Sequence, residues 1–209
     1  MSIARKVTEG ASGGSGGSSK YVDDVFSTYL YEGTGTDRDI INGIDLADKG
    51  GMVWIKNRGA VDQWFCWDTE RGLYYLTQNA ADAEVQNINF HVTSYNSDGF
   101  SLHNGGSGDN KPGNDYASWT FAKQEGFFDV VTYTGDAVRN RQITHNLGSV
   151  PGMIIVKSTT KVDDWYVWHR SLVNGGTDRN LYLNKNLAAG QSASPYENFP
   201  TLPTDSVFY

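Results

Sequence analysis

Hydrophobic and polar positions alternate along most of the chain, and the same alternation returns in its second half. Gly51-Met52-Val53-Trp54-Ile55-Lys56 recurs as Gly152-Met153-Ile154-Ile155-Val156-Lys157. Successive side chains of a strand point to opposite faces, so β-branched residues at every second position mark a strand with one buried face. Val53 and Ile55, matched by Ile154 and Val156, are therefore expected to point inward. Residues 25–31 place Val25, Ser27, Tyr29 and Tyr31 on one face and Phe26, Thr28 and Leu30 on the other, before the turn Glu32-Gly33-Thr34-Gly35. Residues 116–121 predict a further alternating aromatic strand. Helical periodicity is nearly absent, and only residues 79–86 suit a turn or two of helix.

Each Gly-Met strand is followed at the same distance by a W-x-x-W segment: Trp64-Phe65-Cys66-Trp67, then Trp165-Tyr166-Val167-Trp168. Residues i and i+3 of a strand face opposite ways. Trp64, Cys66 and Asp68 thus share one face, and Phe65 and Trp67 the other, so both faces need cover from a neighbouring domain, a subunit or a ligand. Upstream, Phe26…Tyr31-Glu32-Gly33 matches Phe128…Tyr133-Thr134-Gly135. Downstream, Leu73-Tyr74-Tyr75-Leu76 is matched with Leu181-Tyr182-Leu183, and Asp98-Gly99-Phe100 with Asp205-Ser206-Val207-Phe208. The copies lie 101 or 102 residues apart at first and 107 or 108 after the W-x-x-W segment.

A repeat of this length is a duplicated domain, since solenoid units have periods of about 20–50 residues. The expected fold is all-β, with two tandem antiparallel β-sandwich domains, jelly-roll-like, after a flexible N-terminal arm. Residues 1–20 form the arm and linker, 21–126 the first repeat and 127–209 the second. In the first copy Phe100 is followed by the 116–121 strand, whereas Phe208 is followed by Tyr209 alone. The second repeat is therefore expected to be incomplete at its C-terminal end, leaving a sheet edge for a longer polypeptide or a neighbouring subunit to complete.

Composition narrows the chemistry. Aromatic residues make up 13% of the 209 positions, which favours pleated surfaces over helices. A net charge of −7 without Lys/Arg clusters argues against a nucleic-acid partner. No apolar run has the length of a membrane span or of a signal-peptide core, so no membrane insertion is expected. Residues 10–19 are a Gly/Ser run of the flexible-linker type. Ahead of it, Ile3 and Val7 are candidate apolar anchors, and Arg5 and Lys6 candidate charges, for docking on a partner.

No nucleophile motif is visible, and the single Cys66, inside a Trp-flanked strand, reads as a buried structural thiol. The four histidines lack metal-ligand spacing. The loop 104–115 (NGGSGDNKPGND) departs from EF-hand spacing and reads as a long hairpin loop. Asp163 and Asp164 diverge in a strand and do not make a glycosidase pair. No catalytic residue, metal or cofactor is expected. Trp67, Trp168 and Tyr166 are the candidate aromatics for a glycan or an interface, because an aromatic face stacks on the apolar face of a sugar.

The ordered set Tyr21-Val22-Asp23-Asp24-Val25-Phe26, Asn42-Gly43-Ile44-Asp45-Leu46, Asp68-Thr69-Glu70-Arg71-Gly72, Ser94-Tyr95-Asn96-Ser97-Asp98-Gly99-Phe100, Tyr116-Ala117-Ser118-Trp119-Thr120-Phe121 and Leu147-Gly148-Ser149-Val150-Pro151-Gly152 carries a resemblance over about residues 21–209. It resembles the repeated domain of tail-associated virion proteins from marine and environmental bacteriophages. The resemblance implies a virion protein of the tail-fibre type, made in the bacterial host cytoplasm and located in the virion tail. Other phage tail proteins, a host surface glycan and copies of the same chain, as a trimer, are the expected partners. A soluble carbohydrate-binding module and a polysaccharide depolymerase are the competing readings.

Overall fold

The computed structural model of the protein describes residues 21–86, 91–104, 108–172, 179–187, 190–191, 199 and 201–209. The described chain is all-β. Its helical elements are two short 3-10 turns, Val22–Asp24 and Arg170–Leu172, and none of its helices is long and apolar enough to cross a membrane. The first half contains β1 (Phe26–Glu32), β2 (Arg38–Ile41), β3 (Gly51–Asn57), β4 (Trp64–Asp68), β5 (Tyr74–Thr77), β6 (Val85–Gln86), β7 (Val92–Asn96), β8 (Gly99–Leu102) and β9 (Asp115–Ala122). The second contains β10 (Ile143–Thr144), β11 (Met153–Lys157), β12 (Trp165–His169), β13 (Arg179–Tyr182), β14 (Gly190–Gln191) and β15 (Val207–Phe208).

All ladders are antiparallel. The first half pairs a six-stranded sheet, β1-β9-β3-β4-β5-β6, with a three-stranded sheet, β2-β8-β7. One core joins them. Val53, Ile55, Phe65, Trp67 and Tyr116 of the large sheet pack with Ile40, Val92, Phe100 and Leu102 of the small one. Alternation produces this result: β3 buries every second residue, and the outward Trp54 and Lys56 stay half-buried. Residues 79–86 form no helix; they run from a turn into β6.

Strand β9 enters between β1 and β3, pairing Phe26 with Phe121 and Gly51 with Ala122. A Cβ on Gly51 would lie 2.0 Å from the Phe121 carbonyl oxygen, so only glycine allows the strands to meet there. A Cβ on Gly33 would lie 2.2 Å from the Lys111 carbonyl oxygen, in the segment that leads into β9. Tyr31 and Tyr116 stack at 5.1 Å, and the Tyr31 hydroxyl donates to the Asp109 carbonyl at 2.7 Å.

The second half repeats part of this plan, with sheets β11-β12-β13-β14 and β10-β15. Lys56 Nζ donates to the Asn57 and Ala60 carbonyls, and Lys157 Nζ to those of Ser158 and Lys161. Trp64 N donates to Asn79 Oδ1, as Trp165 N does to Asn184 Oδ1. Ile40 pairs with Phe100 as Ile143 pairs with Phe208. One correction concerns the downstream match. Cys66 pairs with Leu76 and Val167 with Leu181, so Leu181 is the counterpart of Leu76. The insertion after the W-x-x-W strand is therefore shorter there than the matched Leu-Tyr motifs suggest, because similar aromatic strings can be slid along each other without a register to fix them.

The halves meet along residues 77–84. Glu84 N donates to the Thr159 carbonyl and Asp163 N to that of Ala81, both at 2.8 Å. The Trp165 indole N–H is shared between the Thr77 and Ala80 carbonyls at 3.0 and 3.1 Å. Trp165→Phe keeps an aromatic ring, though a smaller one, and removes this donor, leaving buried carbonyls short of a partner. Chemical denaturation should show a loss of about 1–2 kcal/mol, with increased hydrogen exchange at residues 77–84. Unchanged exchange there would refute the tie.

Candidate functional site

Loop 58–63 joins β3 to β4 and is closed by its own side chains. Asn57 Oδ1 accepts from Gly59 N and Ala60 N, and Asp62 Oδ1 from Gln63 N. Two concavities flank it. On the outer side Trp64, 37% exposed, stacks on Trp119 at 5.7 Å, with Lys56 Nζ 6.0 Å over the Trp64 ring. On the inner side lies a cleft of about 410 Å³, within the size of ordinary small-ligand sites.

Aromatic rings wall the inner cleft. His91 lies 5.0 Å from Phe65 and 4.6 Å from Tyr75, with Thr77 and Gly108 beside them and Asp62, Gln63 and Asp82 at the rim. Burial, and then the charge of Asp82, raise the Tyr75 phenol above its ordinary range. Behind His91 sits Asp109, fully buried, with Oδ2 at 3.5 Å from His91 Nδ1, too long for a well-formed hydrogen bond. Neither carboxylate oxygen has a closer partner among the described residues, and the Thr77 hydroxyl is likewise buried without one. Burial raises the Asp109 carboxyl above the usual range, against the opposing pull of His91. Asp109 is sealed from the cleft, so it acts on anything bound there only by positioning and polarising His91. All of the cleft's lining residues belong to the first half, and the second half bonds the backbone of residues 77–84, which supply one of its walls.

The residues singled out in the sequence fall elsewhere. Ile3, Arg5, Lys6 and Val7 lie outside the described residues. Trp67 is fully buried in the first core against Phe65, Tyr75 and His91, so its ring faces packing partners and offers nothing to a glycan. Trp168 is 3% exposed. Tyr166 is half-buried, pairs with Tyr182 at 5.4 Å and donates its hydroxyl to Asp163 Oδ1; burial first, then Asp163, push its phenol up to about 12. The aromatics beside loop 58–63 that are not fully buried include Trp64, Trp119 and Tyr75. Trp64 was visible as the opposite face of the W-x-x-W strand, whereas only the folded sheets bring His91 and Asp109 together. Cys66 is buried, and burial pushes its thiol up to about 12. Within loop 104–115, Asp109 and Asn110 are buried, and Asn110 binds Thr34 N and the carbonyls of Thr36 and His103.

The raised Asp109 value fixes a sign for pH dependence. A carboxyl whose folded value exceeds its unfolded one stabilises the fold below the unfolded value, and that stability is lost as pH rises through the folded value. Asp109→Asn keeps the shape and removes the charge. Measured from about pH 3 to pH 7, the melting temperature of the variant should rise relative to that of the parent chain. A pH-independent difference would contradict the assigned environment.

No curated protein and no solved structure matches the chain. The model of a family described as a domain of unknown function, DUF7483, matches residues 18–209, spanning both halves, and the chain belongs to that family.

Proposed function

We propose that the chain is a non-catalytic structural and adhesive component of a phage virion, of the tail-fibre type, which contacts host surface glycans. It attaches to other tail proteins through residues 1–20. Each half is a β-sandwich of jelly-roll-like type, and the protein works as a homotrimer. The ordered motifs that resemble tail-associated virion proteins support the virion assignment.

The observation that carries the glycan reading is the inner cleft of the first half. The Tyr75 ring offers an apolar surface to a sugar, while Asp62, Gln63 and Asp82 offer hydrogen bonds to its hydroxyl groups. The outer Trp64–Trp119 pair extends the aromatic surface across loop 58–63. A carboxylate sealed behind His91 fits binding better than acid–base catalysis, which needs a group within reach of the substrate proton. A soluble carbohydrate-binding module would use the same cleft and differ in assembly.

Two measurements test the reading. Titration with host capsular or lipopolysaccharide oligosaccharides should give saturable binding, reduced roughly tenfold by Tyr75→Ala, a loss of about 1.4 kcal/mol, and unaffected by Trp168→Phe. Binding unaffected by Tyr75→Ala would remove the cleft from the proposal, and release of reducing ends would overturn the non-catalytic part. Mass photometry should give a trimer; a monomer that binds glycan would favour the soluble module.

A further inference from the structure

In the first half, three residues answer to the segment 109–122 that inserts β9 between β1 and β3. Gly51 is required because its Cβ would meet the Phe121 carbonyl oxygen at 2.0 Å. Gly33 is required because its Cβ would meet the Lys111 carbonyl oxygen at 2.2 Å; its backbone also bonds Asn114 O and Gly113 N. Tyr31 is 7% exposed because it stacks on Tyr116 and donates to Asp109. The second half carries the same residue types at the matching positions: Gly152, Gly135 and Tyr133.

Nothing described in the second half uses them in that way. A Cβ on Gly135 would meet nothing within 4 Å, and one on Gly152 would meet at closest the guanidinium tip of Arg170, at 3.1 Å. Tyr133 is 45% exposed. Among the described residues β11 is paired only with β12, whereas its counterpart β3 is paired on both sides. Residues 129–136, which include the counterparts of most of β1, form no ladder. Burial follows the same difference. Val53 and Ile55 are fully buried, but Ile154 and Val156 are only half-buried and Met153 is 56% exposed.

We propose that the edge of β11 left unpaired among the described residues, together with the segment 128–135, forms an acceptor for one antiparallel strand of the β9 type, supplied by another polypeptide through β-augmentation. The first half sets the register. β9 places Tyr116, Ser118, Thr120 and Ala122 opposite Asn57, Ile55, Val53 and Gly51. The incoming strand therefore carries a Tyr to stack on Tyr133, then small or hydroxyl residues opposite Val156, Ile154 and Gly152, with aromatics on the outer face. An unpaired edge of this kind is a standing template for strand addition, and here the residue at its end is a glycine, which leaves room for a close backbone approach. The inference is independent of the glycan cleft, which lies on other strands.

The test uses the full chain and a synthetic peptide with the sequence of residues 109–122. Hydrogen exchange at the β11 amides should slow on peptide addition, saturably, with no slowing from the same peptide in reversed order. Gly152→Ala places a Cβ where the peptide backbone must pass and should weaken binding at least tenfold, while Gly135→Ala should also weaken it. Both variants should melt as the parent chain does, because their added Cβ atoms meet open space or a flexible side-chain tip. Peptide binding that leaves β11 exchange unchanged, or that is equally tight in Gly152→Ala, would overturn the proposal. So would absence of binding, or protection of β11 that grows with protein concentration without peptide, which would mean edge-to-edge pairing of two copies.

Discussion

The insertion of β9 between β1 and β3 is the constraint on which the first half depends. Without it β1 has no place in the large sheet, and Gly33 and Gly51 lose the carbonyl contacts that leave no room for a side chain. β9 also locks the two layers together. Thr120 Oγ1 accepts from Asn42 Nδ2 at 2.8 Å, tying the middle of the large sheet to the end of β2. The same pass of the chain buries Tyr116 under Tyr31 and carries Asp109 into the interior behind His91. A pairing that closes a long loop therefore supplies sheet continuity, interlayer contact and the back of the cleft.

Burying Asp109 without a well-formed partner is costly, since desolvation of a carboxylate is offset only by good hydrogen bonds or a close opposite charge. Elsewhere the chain handles buried charge more fully. Asp68, also buried, receives Arg71 Nε at 2.7 Å, and Arg71 reaches on to Glu84 and the Cys66 carbonyl. The contrast between these two carboxylates singles out the His91 cleft as the candidate site and leaves the Arg71 cluster as a structural tie.

The two halves share a plan without sharing its completeness. Their loops after β3 and β11 close with the same lysine hydrogen bonds, and their W-x-x-W strands are capped by the same asparagine contact. They part company where β9 lies. Fully buried β-branched residues in the first half correspond to half-buried ones in the second, so the second half leaves apolar surface and backbone groups on offer. Its contacts with residues 77–84 nevertheless support one wall of the first half's cleft.

Much of the fold was legible in the sequence, because strand alternation is a local property set by backbone geometry. The period-two runs at residues 25–31, 51–56 and 116–121 fall on β1, β3 and β9, and the inward sense of Val53 and Ile55 follows from β-branching alone. The buried state of Cys66 was legible too, since a lone thiol between tryptophans has little reason to face water. What alternation does not carry is which of two apolar faces is covered. Trp67 and Trp64 look equivalent as letters, yet one is sealed under the small sheet and the other stays partly open beside Trp119. The meeting of His91 with Asp109, and the slide of Leu181 into register with Leu76, depend on which strands pair across the sheets. Pairing is decided by the whole set of competing hydrogen bonds and packed side chains, so tertiary structure alone assigned the cleft, while the sequence by itself determined the strands that build it.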